Sequence, residues 1–335
     1  MKEASFYKTK DDKAVCFLCP HGCVIGDGKR GICGVRENHA GKLYSLVYGK
    51  AAAAHVDPIE KKPLFHYKPG TNSYSISTVG CNLSCSFCQN WDISQSPKTS
   101  GQIMGKNMSP EEIVGEALKT GCESISYTYT EPTVFFEYAK DTGVLARTKG
   151  LGNVFVSNGF MGEEAFKDAL SFLDAANIDL KSIRDEFYRK MCGARLEPVL
   201  DTLRRMVSAG IWVEVTTLLV TGENDSDEEL EGIASFIRDE LGAGVPWHVS
   251  RFHPDYKLTD AAATPLDVVR RAWSIGKDAG LKYVYAGNIP HEEAENTFCP
   301  KCGATVIARY GFSVAENMIV DGGCRKCGEK IGGAW

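Results

Sequence analysis

Short runs rich in β-branched and aromatic residues recur through the middle of the chain. They lie at 71–80 (TNSYSISTVG), 124–130 (SISYTYT), 153–158 (NVFVSN), 175–180 (AANIDL), 212–220 (WVEVTTLLV) and 247–252 (WHVSRF), with 283–288 (YVYAGN) as a candidate seventh. Helix signals fill the intervals. Ser109 precedes Pro110, Glu111 and Glu112, an N-cap with proline at N1 and acids in the first turn. Asp225-Ser-Asp-Glu-Glu sets another carboxylate cluster where a helix begins. Strand alternating with helix predicts βα units around a parallel sheet. The expected fold is α/β, a partial (β/α)6 TIM-like barrel with its site at the C-terminal edge of the strands. Strands missing from a full barrel leave a lateral opening, which could admit a protein segment or be covered by an appended domain.

Cysteine changes this picture most. Cys16, Cys19, Cys23 and Cys33 open the chain, Cys81, Cys85 and Cys88 follow the first barrel strand, and Cys299, Cys302, Cys324 and Cys327 close it, while Cys122 and Cys192 stand alone as small core residues. The N-terminus is charged, and no run of 18 apolar residues suggests a membrane span, so a cytoplasmic protein is expected. There thiols stay reduced, and metal ligation is the better reading of so many. A net charge of −5 supplies no general basic field for a nucleic-acid backbone, which argues against such a partner.

Cys81-x3-Cys85-x2-Cys88 puts three thiolates on one tight loop at the top of the barrel. Four thiolates close an iron–sulfur cubane, whereas three leave one iron free for a small chelating molecule. The alternative is a structural zinc site completed by a distant ligand. CNLSCSFC resembles the signature of radical S-adenosylmethionine enzymes, with Phe87 in the aromatic position before the last cysteine. The resemblance implies a [4Fe-4S] cluster on Cys81, Cys85 and Cys88, with S-adenosylmethionine chelated to its unique iron. Reductive cleavage to methionine and a 5′-deoxyadenosyl radical would follow.

Later strand ends carry matching pieces, YTYTEPT, VSNGF, NIDLKS, VTGENDSDEE and VPWH, and resemble activating enzymes of the pyruvate formate-lyase type over roughly 74–288. That resemblance implies cofactor-binding roles for Phe87, Tyr129, Thr130, Glu131, Ser157, Asn158, Thr216 and Arg251. Glu131 would face the cofactor's ammonium, Ser157 and Asn158 its ribose or carboxylate, and Arg251 its carboxylate. Tyr129 and Thr130 stand where the family carries two glycines. Asp179, Lys181 and His248 would be the catalytic residues. Asp179 and Lys181, two apart in one strand, point to the same side; a plain structural pair is the alternative. His253 and Asp255 fit substrate contacts or an ordinary loop.

The first four cysteines suit a closed zinc site or an auxiliary iron–sulfur cluster, with structural zinc the expectation. CPKCG and CRKCG at 299–303 and 324–328 have zinc-ribbon spacing. The expected organisation is a four-cysteine metal module and connecting segment over 1–70, the barrel over 71–290 and a ribbon-like module over 291–335. His55, Asp57, Lys61, Lys62 and His66 fall in the connecting segment, read as a loop that could also act as a lid. CPHGC, GICGVREN, HVDPIEKKPLFHYKPG, STVGCNLSCSFCQNWDISQ and WHVSRFHPDYK together resemble the radical enzyme of the AmmeMemoRadiSam system. The expected activity is hydrogen abstraction from a protein or peptide, such as glycyl radical generation, with flavodoxin or ferredoxin as electron donor. Modification of a small molecule or RNA, and a non-catalytic zinc scaffold, are the alternatives.

Overall fold

The structure, a computed structural model, describes residues 1–289 and 293–335. Seven parallel strands form the sheet that carries the site: β2 (Asn72–Ser77), β3 (Ser124–Tyr127), β4 (Gly152–Ser157), β5 (Ala175–Asp179), β6 (Trp212–Leu219), β7 (Trp247–Arg251) and β8 (Val284–Gly287), side by side in chain order. Each coincides with a run predicted from sequence, the candidate seventh included. An eighth, β1 (Ala53–Pro58), pairs antiparallel with β2, setting His55 opposite Ser75 and Asp57 opposite Ser73. The sheet has two edges, β1 and β8, so the barrel is open.

This corrects the sequence reading twice: the parallel sheet has seven strands where six were counted as firm, and part of the supposed connecting loop is a strand. AAHVDP shows no period-two apolar pattern. Only Asp57 in it is buried, because an edge strand hydrogen-bonded on one side needs little side-chain burial to hold it. The boundary expected between 290 and 291 falls at the edge of residues outside the described ones.

Period-two alternation divides the sheet's faces. Tyr74, Ile76, Ile125, Tyr127, Phe155 and Val215 join the core under the helices. Those helices include α1 (Pro110–Lys119), begun by the predicted Ser109 cap in a full capping box with Glu112, and α2 (Phe136–Thr148). The opposite face of β2 and β3 presents Ser73, Ser75, Ser77, Ser124 and Ser126, all buried, giving the barrel a polar interior.

Residues 59–67 plug the N-terminal end of the strands. Glu214, fully buried near the start of β6, accepts the backbone N–H groups of Phe65 at 3.0 Å and His66 at 2.8 Å, and the Nε2–H of His248 at 2.7 Å. Burial pushes this carboxyl up, but the His248 and His66 contacts outweigh it and hold it below its ordinary range. Asn177 Nδ2 donates to the Pro63 carbonyl at 2.8 Å. The C-terminal module covers the plug: Arg309 donates to the Phe65 carbonyl at 2.7 Å, and Lys68 N–H to that of Ala334 at 2.7 Å. His66 Nδ1 donates to the Gly332 carbonyl at 2.7 Å, so its Nε2 accepts from Tyr285 Oη at 2.6 Å.

At the other end of the chain, two small three-stranded sheets build the cysteine-bearing N-terminal module. Arg36 of this module reaches Glu137 on α2 at 2.6 Å in a buried ion pair. Among the described residues, no helix is long and apolar enough to cross a membrane.

Two stability predictions follow from these buried groups. Glu137→Leu leaves Arg36 buried without its partner and is expected to cost about 3–5 kcal/mol in denaturant unfolding, whereas the double change Arg36→Met with Glu137→Leu recovers most of it. Burial lowers the His66 pKa from 6.5 to about 4. Between those values the unfolded chain binds a proton that the folded ring refuses, so stability is full above pH 6.5 and falls toward pH 4. Unfolding measured across this range should show the native chain losing on the order of 3 kcal/mol more than His66→Gln.

Candidate active site

The loop after β2 carries the three central cysteines. Gly80 enters it at φ +102°, and a Cβ there would lie 2.5 Å from Val35, so only glycine lets the N-terminal module approach. Backbone bonds fix the loop's course: Ser84 N–H to the Cys192 carbonyl at 2.8 Å, Ser86 N–H to that of Met191 at 2.9 Å, and Gly80 N–H to that of Ile93 at 3.0 Å. Lys98 Nζ donates to the Leu83 carbonyl at 2.6 Å, and Asn82 Nδ2 to that of Phe160 at 2.8 Å.

Burial pushes the thiols of Cys81 and Cys88 up, and contact with Cys192, then burial, does the same to Cys85. Thiols of raised pKa become thiolates when a metal supplies the positive charge. Cys81 Sγ accepts from Leu83 N–H at 3.4 Å and from Asn158 Nδ2 at 3.6 Å, the pattern of a sulfur prepared for ligation.

Strand ends converge on this loop. Tyr129, just past β3, adopts φ +63°, the left-handed conformation that glycine favours. Its carbonyl accepts from Asn90 Nδ2 at 2.8 Å, and Thr130 Oγ1 donates to the Thr78 carbonyl at 2.8 Å. Glu131 is buried. Its Oε1 accepts from Thr133 N–H and Oγ1 at 2.9 and 2.6 Å and from Ser157 Oγ at 2.8 Å, and its Oε2 from Asn158 N–H at 2.9 Å. Burial raises its pKa despite these donors. Asn158 Nδ2 also donates to Asn82 Oδ1 at 2.8 Å, which couples the carboxylate to the cysteine loop.

At the end of β5, Lys181 Nζ lies 2.7 Å from Asp179 and 5.8 Å from the Phe87 ring centre. Burial opposes its charge, but Asp179 and then Cys85 hold its pKa above the ordinary lysine value. Glu131, Ser157, Asn158, Asp179, Lys181 and Phe87 thus lie around the central cysteines. Of the other expected residues, Thr216 shares this polar interior, and His248 and Arg251 make contacts of their own. Thr216 is opposite Asp179 in register, its buried Oγ1 without a partner. His248 bonds Glu214 and packs between Phe65, edge-on at 4.8 Å, and Tyr285, stacked at 5.0 Å, so its ring belongs to the barrel floor. Arg251 Nε donates to the Thr264 carbonyl at 2.6 Å, and strand alternation turns its side chain opposite to those of His248 and Ser250.

Sequence reasoning missed one cluster. Asp57 on β1 accepts from Lys61 Nζ at 2.8 Å, Lys62 Nζ at 2.6 Å and the Tyr129 hydroxyl, and Lys62 lies 4.6 Å over the Tyr129 ring. Burial lowers the Lys62 pKa to about 8 against the pull of Asp57. Burial works against the Asp57 carboxylate too, yet the three donors hold it below its ordinary range. An Asp with lysines four and five residues on was the available signal. Ser75, Ser77 and Ser124 Oγ, Asn177 Oδ1 and Thr216 Oγ1 are buried without partners. An unpaired buried polar atom costs about 1–3 kcal/mol, so such an interior suits a polar occupant. The thiol loop and this polar interior fit an iron–sulfur cluster on Cys81, Cys85 and Cys88 with S-adenosylmethionine beside it.

Residues 75–237 match the Radical SAM superfamily. The chain is 50% identical to an uncharacterized protein of Methanocaldococcus jannaschii, over 99% of both chains. It is 33% identical to a probable GTP 3′,8-cyclase of Methanosarcina mazei, over 67% of this chain and 66% of that one. It is 24% identical to the pyruvate formate-lyase-activating enzyme of Clostridium pasteurianum, over 55% of this chain and 81% of that one. The chain belongs to the radical SAM superfamily and is an enzyme. Within that class it is similar to the activating enzymes in its core.

A separate set of four cysteines that could hold a metal ion lies in the C-terminal module. Cys299, Cys302, Cys324 and Cys327 bring their sulfurs within 4.8 Å of one another, with Cys299 and Cys327 at 3.6 Å and Cys302 and Cys324 at 3.8 Å. Tetrahedral metal–sulfur bonds of about 2.3 Å require sulfurs about 3.8 Å apart, so one ion fits this set. Because the module caps the plug, Cys302→Ser is expected to lose about one metal ion per chain by elemental analysis and to lower the melting temperature by several degrees.

Proposed function

We propose that the protein uses a [4Fe-4S] cluster on Cys81, Cys85 and Cys88 to cleave S-adenosylmethionine and abstract hydrogen from a protein or peptide substrate. When bound, these groups supply one-electron reductive cleavage to methionine and a 5′-deoxyadenosyl radical. The observation that carries the reading is three thiols on one rigid loop, with no fourth cysteine on it, beside the buried carboxylate of Glu131. Glu131 holds the polar edge of the pocket, with Ser157 and Asn158 fixing its orientation. Lys181, kept cationic by Asp179, supplies positive charge next to the thiolates. Likeness to the activating enzymes supports a protein substrate, including glycyl radical generation.

A small polar molecule is the second reading, and a particular observation favours it. Strand β1 covers the flank beside β2, and the plug closes the floor, so the interior with its unpartnered serines, Lys62 and Asp57 is reached from the strand mouth. The resemblance of the sequence motifs, CPHGC and GICGVREN among them, is what supports assignment to the AmmeMemoRadiSam system. We read the C-terminal ion as zinc, the electron donor as a flavodoxin or ferredoxin, and the setting as cytoplasmic, which suits thirteen free thiols.

Anaerobic reconstitution with iron and sulfide, then dithionite reduction with S-adenosylmethionine, tests the proposal. The wild type should release 5′-deoxyadenosine. Cys85→Ala should release none, and Glu131→Gln at least about tenfold less with an unchanged circular dichroism spectrum. Zinc-only protein without turnover would establish the scaffold alternative. A glycyl radical signal on a co-purified protein would support the first substrate class, and its absence alongside turnover of a small molecule the second.

A further inference from the structure

The N-terminal cysteines remain unused by this reading, and their geometry differs from that of the C-terminal set. Cys16 N–H donates to the Cys23 carbonyl at 2.9 Å, which folds the CFLCPHGC segment back on itself and brings Cys16, Cys19 and Cys23 together. Cys33 arrives from the next turn. Cys16 and Cys33 are buried, and Cys19 and Cys23 half-buried. A Cβ at Gly31 would lie 3.7 Å from Cys23 Sγ, so the turn leading to Cys33 passes beside Cys23.

Yet among the described residues the C-terminal set is the one whose ligand atoms all fall within 4.8 Å of one another. The N-terminal sulfurs are spread more widely. Bonds of about 2.3 Å to a single tetrahedral ion leave no such freedom. A cubane binds its thiolates on four separate corner irons and therefore holds them further apart. The central three cysteines, which bear the superfamily's cluster motif, also fall outside that limit. Of the three sets, the C-terminal one meets the spacing of a single ion, and the N-terminal and central ones do not.

Its position is equally informative. The Cys33 carbonyl comes within 3.2 Å of where a Gly80 Cβ would stand, and Gly80 adjoins Cys81. His21 Nε2, inside the N-terminal motif, bonds the Asn82 carbonyl at 2.8 Å, and Asn82 in turn accepts from Asn158, which donates to Cys81 Sγ. Gly34 packs on Pro97 and the backbone of Lys98. Lys98 joins the two sides, its backbone against Gly34 and its Nζ donating to the Leu83 carbonyl at 2.6 Å and to Ser84 Oγ at 3.0 Å. Arg36 adds a buried cation near Cys16 and Cys33. Two anionic clusters sharing a wall would need such cations.

We propose that Cys16, Cys19, Cys23 and Cys33 hold a second [4Fe-4S] cluster, in place of the zinc expected from the sequence, and that it passes electrons to the central site. Ligated by four thiolates, it has no open iron for a substrate, so its chemistry is one-electron transfer. A reduced carrier of the flavodoxin or ferredoxin class gives up one electron and is oxidised by one. The N-terminal cluster takes that electron and returns to its oxidised state on handing it to the central cluster. The metal assignment stands apart from the radical SAM reading, while the electron-passing role rests on it.

The test uses full-length, anaerobically reconstituted protein. Wild type should hold about eight iron and eight sulfide with about one zinc per chain, and dithionite should develop two EPR signals, one changed by S-adenosylmethionine and one not. The triple variant Cys81→Ala, Cys85→Ala, Cys88→Ala should keep about four iron and the unchanged signal. About four iron and two zinc in wild type, with no iron in the triple variant, would overturn the assignment without relying on any N-terminal substitution. Loss of the cofactor-sensitive signal alone would defeat the central-site reading and leave the N-terminal assignment standing. Freeze-quench EPR after mixing wild type with reduced flavodoxin should show the insensitive signal rising first; the reverse order would overturn the electron-passing role.

Discussion

Everything in this site depends on holding residues 80–88 in one conformation. Three thiols act on a common cluster only if the chain between them cannot relax, and burial of each thiol makes its ionised form unfavourable without a metal. The loop contributes little regular structure of its own. Its rigidity is imported through backbone bonds to 191–192, to Ile93 and to Phe160, and through Lys98 at Leu83. A segment bonded from so many directions pays its conformational entropy at folding and not on cofactor binding.

The same logic governs the far end of the barrel. An open sheet exposes its polar interior unless something covers it, and here the chain supplies its own cover in residues 59–67. One carboxylate, Glu214, collects two backbone donors and an imidazole there, so its charge is offset by directed hydrogen bonds instead of water. The C-terminal metal module then rests on the plug through Arg309 and Ala334. The four-cysteine module at one end of the chain is therefore joined by hydrogen bonds to the plug that shapes the interior.

Local signals made much of this legible. The cysteine spacings lie within single loops, the parallel strands are apolar runs ended by polar turns, and the Ser109 cap stands directly before its helix. Contacts between distant segments left no such trace. Glu214 and His66 are 148 residues apart, and β1 is an edge strand without alternating apolar residues. His248 and Arg251 show a different gap: an odd number of residues apart on one strand, they face opposite ways, so strand parity by itself separates the two side chains. Lys62 went unread because burial of a lysine is visible only once the strand above it and the Tyr129 ring are in place.

The central claim is that one iron of the cluster on Cys81, Cys85 and Cys88 lacks a protein ligand and takes S-adenosylmethionine. The most direct measurement is ENDOR spectroscopy on reduced full-length enzyme with S-adenosylmethionine labelled with nitrogen-15 in its amino group and carbon-13 in its carboxylate. The account predicts hyperfine coupling of both labels to the reduced cluster. A fully loaded, reduced cluster showing no coupling to either label would contradict it.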